Sequence, residues 1–453
     1  MYMKLLSLLE ADMWNDSVTK LGSQSIYQIF PRNFTAEGTL DAASAELSRI
    51  AGMGFDIVYL TPVHPIGKLA RKGPVGSPYA IVDYRSVDPA LGGEAALQRF
   101  CGTAHQQGLK VIMDVVYNHT SPDSLLVQEH PDWFITGPDG KPGRKVDDWS
   151  DVIDLDYSAA GLREYLFETL EKWLRLGADG FRCDVASLVP VDFWVEARRR
   201  AEAIKPTIWL AESVHKEFVS YMRHHGHYAA SDSELHAAFD LTYDYDGREF
   251  LDGFIRGSAS IQPYLDFIEL QSCMYPAHAR KARCLENHDQ PRIAELVPQV
   301  DRLRNITAMW MLLPGTFFAY MGQEWGLTHK PDLFSNDPLN RSKIDNDFLA
   351  FFSRMHALGK QLRSLTTRFL LRQPALGVVL MDGYTAERPV FSALFNLDGR
   401  RGQLDTEKFG LSSLSGQNLL TGEDFVVGDC LTLGAEPLVL AAAGVADKNS
   451  TGK

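Results

Sequence analysis

Strand and helix signals alternate eight times between residues 25 and 362, and this alternation constrains the fold more than any other feature of the chain. Runs rich in β-branched and aromatic residues stand at 25–30, 56–60 and 110–116, from Phe181, and at 207–211, 237–241, 281–285 and 316–320. Between them lie stretches of helical spacing, among them 40–50, 94–107, 162–176, 192–204, 302–313 and 348–362. Strands that alternate with helices pair in parallel and send their crossovers over the sheet. Eight such units predict the α/β class and a closed (β/α)8 barrel. A loop-rich insertion with Pro122, Pro131, Pro138, Gly140, Pro142 and Gly143 interrupts the series at 119–156. Loops of that length are usually functional. From 364 the apolar runs shorten, to 378–381, 390–395 and 438–441, which predicts a small antiparallel β domain. The expected organisation is therefore a barrel over 1–363 containing the insertion, a β domain over 364–445, and a disordered polar tail at 446–453.

Composition narrows the partners. A net charge of −13 argues against nucleic acid and anionic membranes, but not against a neutral sugar. The five cysteines are scattered and no pair has metal-ligand spacing, so reduced thiols and a cytoplasmic protein are expected. Leu5 to Leu9 is a short apolar run soon followed by Glu10 and Asp12, unlike a secretory leader. The most apolar stretch, 306–321, is broken by Pro314 and Gly315 and reads as a buried helix and strand rather than a membrane span.

In a (β/α)8 barrel the chemistry sits at the carboxyl ends of the strands. Strand three ends in Asp114, Asn118 and His119; strand four in Arg182, Cys183 and Asp184; strand five in Glu212; strand seven in Asn287, His288 and Asp289. Arg182 and Asp184 are two apart and share a strand face. Burying such a pair is expensive unless each member is partnered. Each residue alone has an ordinary explanation, as a helix cap, an ion pair or a core histidine. Together they bring three carboxylates, two histidines and one arginine to one barrel mouth.

These motifs resemble the α-amylase family of retaining glycoside hydrolases. The match rests on Asp114 to His119, Gly180 to Asp184, Glu212 and Asn287-His288-Asp289. Supporting matches are Ile26-Tyr27-Gln28-Ile29-Phe30, residues 54–62 and residues 315–324. The resemblance covers about residues 20–360, and the family's C-terminal β-sandwich would fit the remainder. It implies Asp184 as nucleophile, Glu212 as general acid/base, and Asp289 as a third carboxylate that binds sugar hydroxyls. It also implies His119 and His288 as hydrogen-bonders to the cleaved sugar and Tyr79 as an aromatic platform beneath it. Arg182 would lower the Asp184 carboxyl and keep it ionised. Glu212 follows an apolar strand and faces other carboxylates, the setting an acid needs to hold its proton. Retention requires the two carboxyls to lie about 5 Å apart.

The expected activity is double-displacement cleavage of maltooligosaccharides or related α-glucans, with no required cofactor. Two alternatives share the site: an α-glucosidase or oligo-1,6-glucosidase, and a transglycosylase on short oligosaccharides. A non-catalytic binding relative is a third, disfavoured by the complete acidic set. Many α-amylases carry a Lys-His pair after the nucleophile; here Ser187 and Leu188 stand there, so the leaving-group side must differ. Trp133, Phe134 and Trp149 could stack on sugars or form the insertion's own core. Asn118 and Asp154 match family calcium ligands, which implies a structural calcium tying the insertion to the barrel. The alternative is a direct hydrogen bond between them across that junction.

Overall fold

A computed structural model describes residues 20–386 and 388–442. The short apolar run at 5–9, read as unlike a secretory leader, and the polar tail at 446–453 lie outside the described residues. Strands β1 (Ser25–Ile29), β2 (Ile57–Leu60), β3 (Lys110–Val115), β4 (Gly180–Cys183), β5 (Ile208–Ala211), β6 (Leu241–Tyr243), β7 (Arg280–Cys284) and β8 (Thr316–Tyr320) close into a barrel in chain order. All neighbouring barrel strands pair in parallel. Helices such as Leu162–Leu176 bury one stripe against the strands, here Leu162, Leu166, Phe167, Leu170, Trp173 and Leu174, spaced by three and four.

Two predicted elements differ. The helix expected at 40–50 is two short ones, Leu40–Ser44 and Leu47–Gly52. The sixth strand begins at Leu241 rather than 237. Ala238 and Phe239 are fully buried, but as a turn after the helix Asp232–Leu235. Short apolar runs do not distinguish such turns from strands.

The strands are buried on both faces, and period two sorts their residues. Ile26, Ile57, Tyr59, Ile112, Ile208, Leu210, Leu241, Tyr243, Ala282, Cys284 and Phe318 fill the lumen. Tyr27, Val58, Met113, Phe181, Trp209 and Phe317 pack outward in the larger core. One further step of two from the lumen residues leads to Gln28, Asp114, Glu212 and Tyr245 at the mouth. Gly180 opens β4 at φ +157°, where a Cβ would overlap the carbonyl oxygen of Ile208 on β5.

The C-terminal domain is an antiparallel sheet of β9 (Arg368–Ala375), β10 (Val378–Thr385), β11 (Arg388–Asn396) and β12 (Leu438–Ala441), in that order. Val379, Met381, Phe391, Ala393, Phe395 and Val439 join the barrel's core. The alternate residues Val378, Leu380, Leu394 and Leu440 pack on Leu411, Leu414 and Leu431.

Candidate active site

Arg182 is the centre of the mouth. Its side chain is wholly buried and carries three carboxylates. Nη1 donates to Asp114 Oδ1 and Oδ2 at 2.9 and 3.0 Å and to Asp184 Oδ1 at 2.7 Å. Nη2 lies 3.0 Å from Glu212 Oε2. The rings of Tyr59, Tyr79 and Tyr243 surround the guanidinium at 6.0, 5.7 and 5.8 Å. Asp184 and Glu212 are therefore held by the two terminal nitrogens of one side chain, which sets them next to each other. Glu212 Oε2 also accepts the Val185 backbone N–H at 2.8 Å. Val185 has φ +41° and ψ +42°, a left-handed conformation that a β-branched residue adopts only under strain.

Arg182 does pull the Asp184 carboxyl down, as expected, but the net shift is upward. Burial pushes that carboxyl up, outweighing the pull of Arg182, and Glu212 and Asp114 push the same way. Burial is the larger cause, and a single positive charge shared among three carboxyls does not offset it. Burial likewise raises Asp114 to about 6, although Tyr59 and Tyr79 donate to its Oδ2 at 2.6 and 3.0 Å.

Both predicted histidines face this cluster. His119 Nε2 lies 3.8 Å from Asp184 Oδ2, and His288 Nε2 lies 3.1 Å from Asp289 Oδ2. Burial lowers them to about 4 and about 3, so both are neutral at pH 7. Gln28 Nε2 donates to His288 Nδ1 at 2.8 Å, which leaves the ring proton on Nε2. Tyr79 OH stands 2.5 Å from that nitrogen, with its ring stacked on the imidazole at 5.4 Å. Asp289 has 40% of its side chain exposed and lines the cleft.

The cleft has a volume of about 330 Å³. Glu212 and Asp289 line it with Trp149, Val185, Val214, His215, Phe218 and Tyr245. Trp133 and Phe134 instead belong to the core, at 5% and 4% exposure. Of the insertion's three large aromatics, only Trp149 reaches the cleft. Ser187 and Leu188, which replace the Lys-His pair, are buried. Leu188 joins Val185, Val219 and Met222 in an apolar cluster backed by Val214, Phe218 and Trp149. One wall of the cleft is thus apolar and aromatic where a basic pair had been the family expectation. Neither Phe218 nor Tyr245 carries a sequence signal beyond its aromatic side chain, although Tyr245 keeps the lumen parity of Tyr243.

Asn118 and Asp154 meet where the insertion joins the barrel, in a short ladder that pairs His119 with Asp154. Asn118 Nδ2 donates to Asp154 Oδ1 at 3.3 Å. Lys145 Nζ donates to Asn118 Oδ1 at 3.0 Å and lies 3.9 Å from Asp154 Oδ2. These donors do not fit calcium, which needs about six or more oxygens and would meet an ammonium here. Among the described residues no group of three or more His, Cys, Asp and Glu could hold a metal ion. No described helix is long and apolar enough to cross a membrane.

The family model for the α-amylase catalytic domain matches residues 28–151 and 145–357. The chain superposes on an α-amylase from Lactobacillus plantarum with a TM-score of 0.87 at 38% identity, covering 93% of this chain and 99% of that one. A noncanonic maltogenic α-amylase from Thermotoga neapolitana gives 0.82 at 32% identity over the same shares. Among curated proteins, an α-1,4-glucan:maltose-1-phosphate maltosyltransferase of Salinibacter ruber is 39% identical over 196 residues, 37% of this chain and 29% of that protein. The chain spans about three-tenths of the length of such relatives. By the match of its barrel and of whole solved relatives, the chain belongs to the α-amylase family of glycoside-active enzymes.

Proposed function

We propose that this protein cleaves α-glucosidic bonds of maltooligosaccharides or related α-glucans by double displacement. The observation that carries the reading is the single guanidinium holding Asp184 and Glu212 side by side at the cleft. Adjacent carboxyls suit retention, because an inverting pair must stand far enough apart to admit a water. In the first step an Asp184 oxygen attacks the anomeric carbon while Glu212 protonates the departing glycosidic oxygen. In the second, Glu212 takes a proton from water, which attacks the same carbon and frees Asp184. Arg182 keeps Asp184 Oδ1 engaged, leaving Oδ2 toward His119. Asp289 and the two histidines bind hydroxyls of the sugar being cleaved, bonds that tighten as the ring flattens. Tyr79 lies beneath that sugar as its platform. No metal takes part in any step of this reading, and the setting we propose is the cytoplasm.

A second reading, glycosyl transfer, has its own support. The wall of Trp149, Val185, Val214 and Phe218 suits a sugar acceptor better than water, and the curated relatives are maltosyltransferases. A time course of products from maltoheptaose, resolved by chain length, separates the two. Only shorter products would support hydrolysis, whereas products longer than the substrate would support transfer. With neither, maltose 1-phosphate plus maltoheptaose is the next substrate pair, and inertness on both would overturn the α-glucan assignment.

A further inference from the structure

The seam between barrel and insertion contains a charge that the proposed reaction does not use. Lys145 lies in the insertion with only 13% of its side chain exposed, against the buried Asn118 and Asp154. Its backbone N–H donates to Asp154 Oδ2 at 2.9 Å, and its ammonium donates to Asn118 Oδ1 at 3.0 Å. An ammonium has three protons and no lone pair, so the amide atom facing it must be oxygen. The other end of the amide is then Nδ2, whose two protons face Asp154 Oδ1 at 3.3 Å and His119 Nδ1 at 3.1 Å. His119 Nδ1 therefore accepts a hydrogen bond, and the neutral ring carries its proton on Nε2. That nitrogen points at Asp184 Oδ2 across 3.8 Å, and Asp184 Oδ2 is a buried oxygen with no hydrogen-bond partner of its own.

We propose that Lys145 is a positioning residue standing where the family resemblance implies a calcium ion. Its ammonium orients the Asn118 amide, and the amide fixes the Nε2–H tautomer of His119 facing Asp184. A flipped amide would place Oδ1 against His119 and move the ring proton to Nδ1. Nε2 would then face the carboxylate with a lone pair, and the two would repel. A metal ion and an ammonium cannot both occupy the Asn118 oxygen, so the seam is closed without a divalent cation. The tautomer follows from the seam alone; only its value to the nucleophile rests on the catalytic reading.

The test reads the ring nitrogens of His119 by NMR of histidine-labelled protein, with the signals assigned by their loss in His119→Asn. The wild type should show a protonated Nε2 and a bare Nδ1, unchanged by EDTA or calcium chloride, and neither reagent should move the melting temperature. Lys145→Met should shift His119 to a mixture of tautomers, and Lys145→Arg should restore the wild-type signals. A protonated Nδ1 in the wild type would overturn the proposal. So would a melting temperature that rises with calcium or falls with EDTA, and both arms use the unaltered protein, so they hold if Lys145→Met does not fold. An unchanged tautomer in folded Lys145→Met would also overturn it. None of these readouts uses activity, so a wrong nucleophile assignment would leave them untouched.

Discussion

Two buried ionic clusters flank the same barrel, and they are built to different ends. In the first, Arg182 faces Asp114, Asp184 and Glu212 inside the mouth. In the second, Lys281 pairs with Asp232 and Asp246, and Arg283 pairs with Asp244 at 2.8 Å, on the outer side of β7. The second has two cations for three carboxylates, and Tyr264, Tyr275 and Gln271 fill the remaining acceptor positions. The first has one cation for three and leaves Asp184 Oδ2 without a partner. Burying charge is tolerable when the carboxylates are partnered, and the second cluster comes nearer to that than the first. The shortfall in the first leaves a carboxylate oxygen free to react. In sequence both read as charged residues two apart on a strand; only lumen parity tells them apart, since Arg182 points inward and Lys281 and Arg283 outward.

The comparison makes its largest prediction at Asp184. Asp184→Asn should cut turnover by orders of magnitude on maltoheptaose while substrate still binds. Its melting temperature should hold or rise, because one of three crowded carboxylates is gone. Retention of most activity would remove Asp184 as nucleophile. Lys281→Met should do the reverse, lowering stability by about 3–5 kcal/mol through the uncompensated Asp232 and Asp246 while the folded fraction keeps its kcat. Urea titration and active-site-normalised rates check both.

Acidification should sharpen the contrast further. Burial lowers His288, beside the first cluster, and His236, near Lys281, each to about 3. A histidine held below its unfolded value of about 6.5 contributes full stability above pH 6.5 and loses it as pH falls toward the folded value. Going from pH 7 to pH 5 should thus cost ~2 kcal/mol per histidine. His236→Gln should remove its share of that slope and leave activity intact, whereas His288→Gln should remove a similar share and lose activity as well. The smallest effect is at the apolar wall. Phe218→Ala should raise KM for maltoheptaose several-fold with little change in kcat, on the order of 1 kcal/mol of aromatic packing. An unchanged KM would remove Phe218 from substrate binding.

Much of this was legible in the chain because a barrel turns strand order into position. Period two carried Asp114, Arg182, Asp184 and Glu212 to the mouth from residues whose burial was evident. The upward shift of the Asp184 carboxyl was not legible, because it depends on burial and on how many carboxyls share Arg182, and Asp114 reaches that guanidinium from a strand 68 residues earlier. Lys145 sits among Lys141, Arg144, Asp147 and Asp148, and nothing local marks it as the buried one. The basic pair's absence at Ser187 and Leu188 was plain, but its replacement by Trp149, from a loop, and Phe218, from the helix Lys216–His224, comes from segments that meet only in the fold.

The most direct test of the central claim is mass spectrometry of the Glu212→Gln variant after reaction with α-maltosyl fluoride. Fluoride departs without needing an acid, and without Glu212 to activate water the second step should stall. The account predicts one maltosyl unit bound through an ester on the peptide containing Asp184. Labelling of another residue, or release of β-maltose with no adduct, would contradict it.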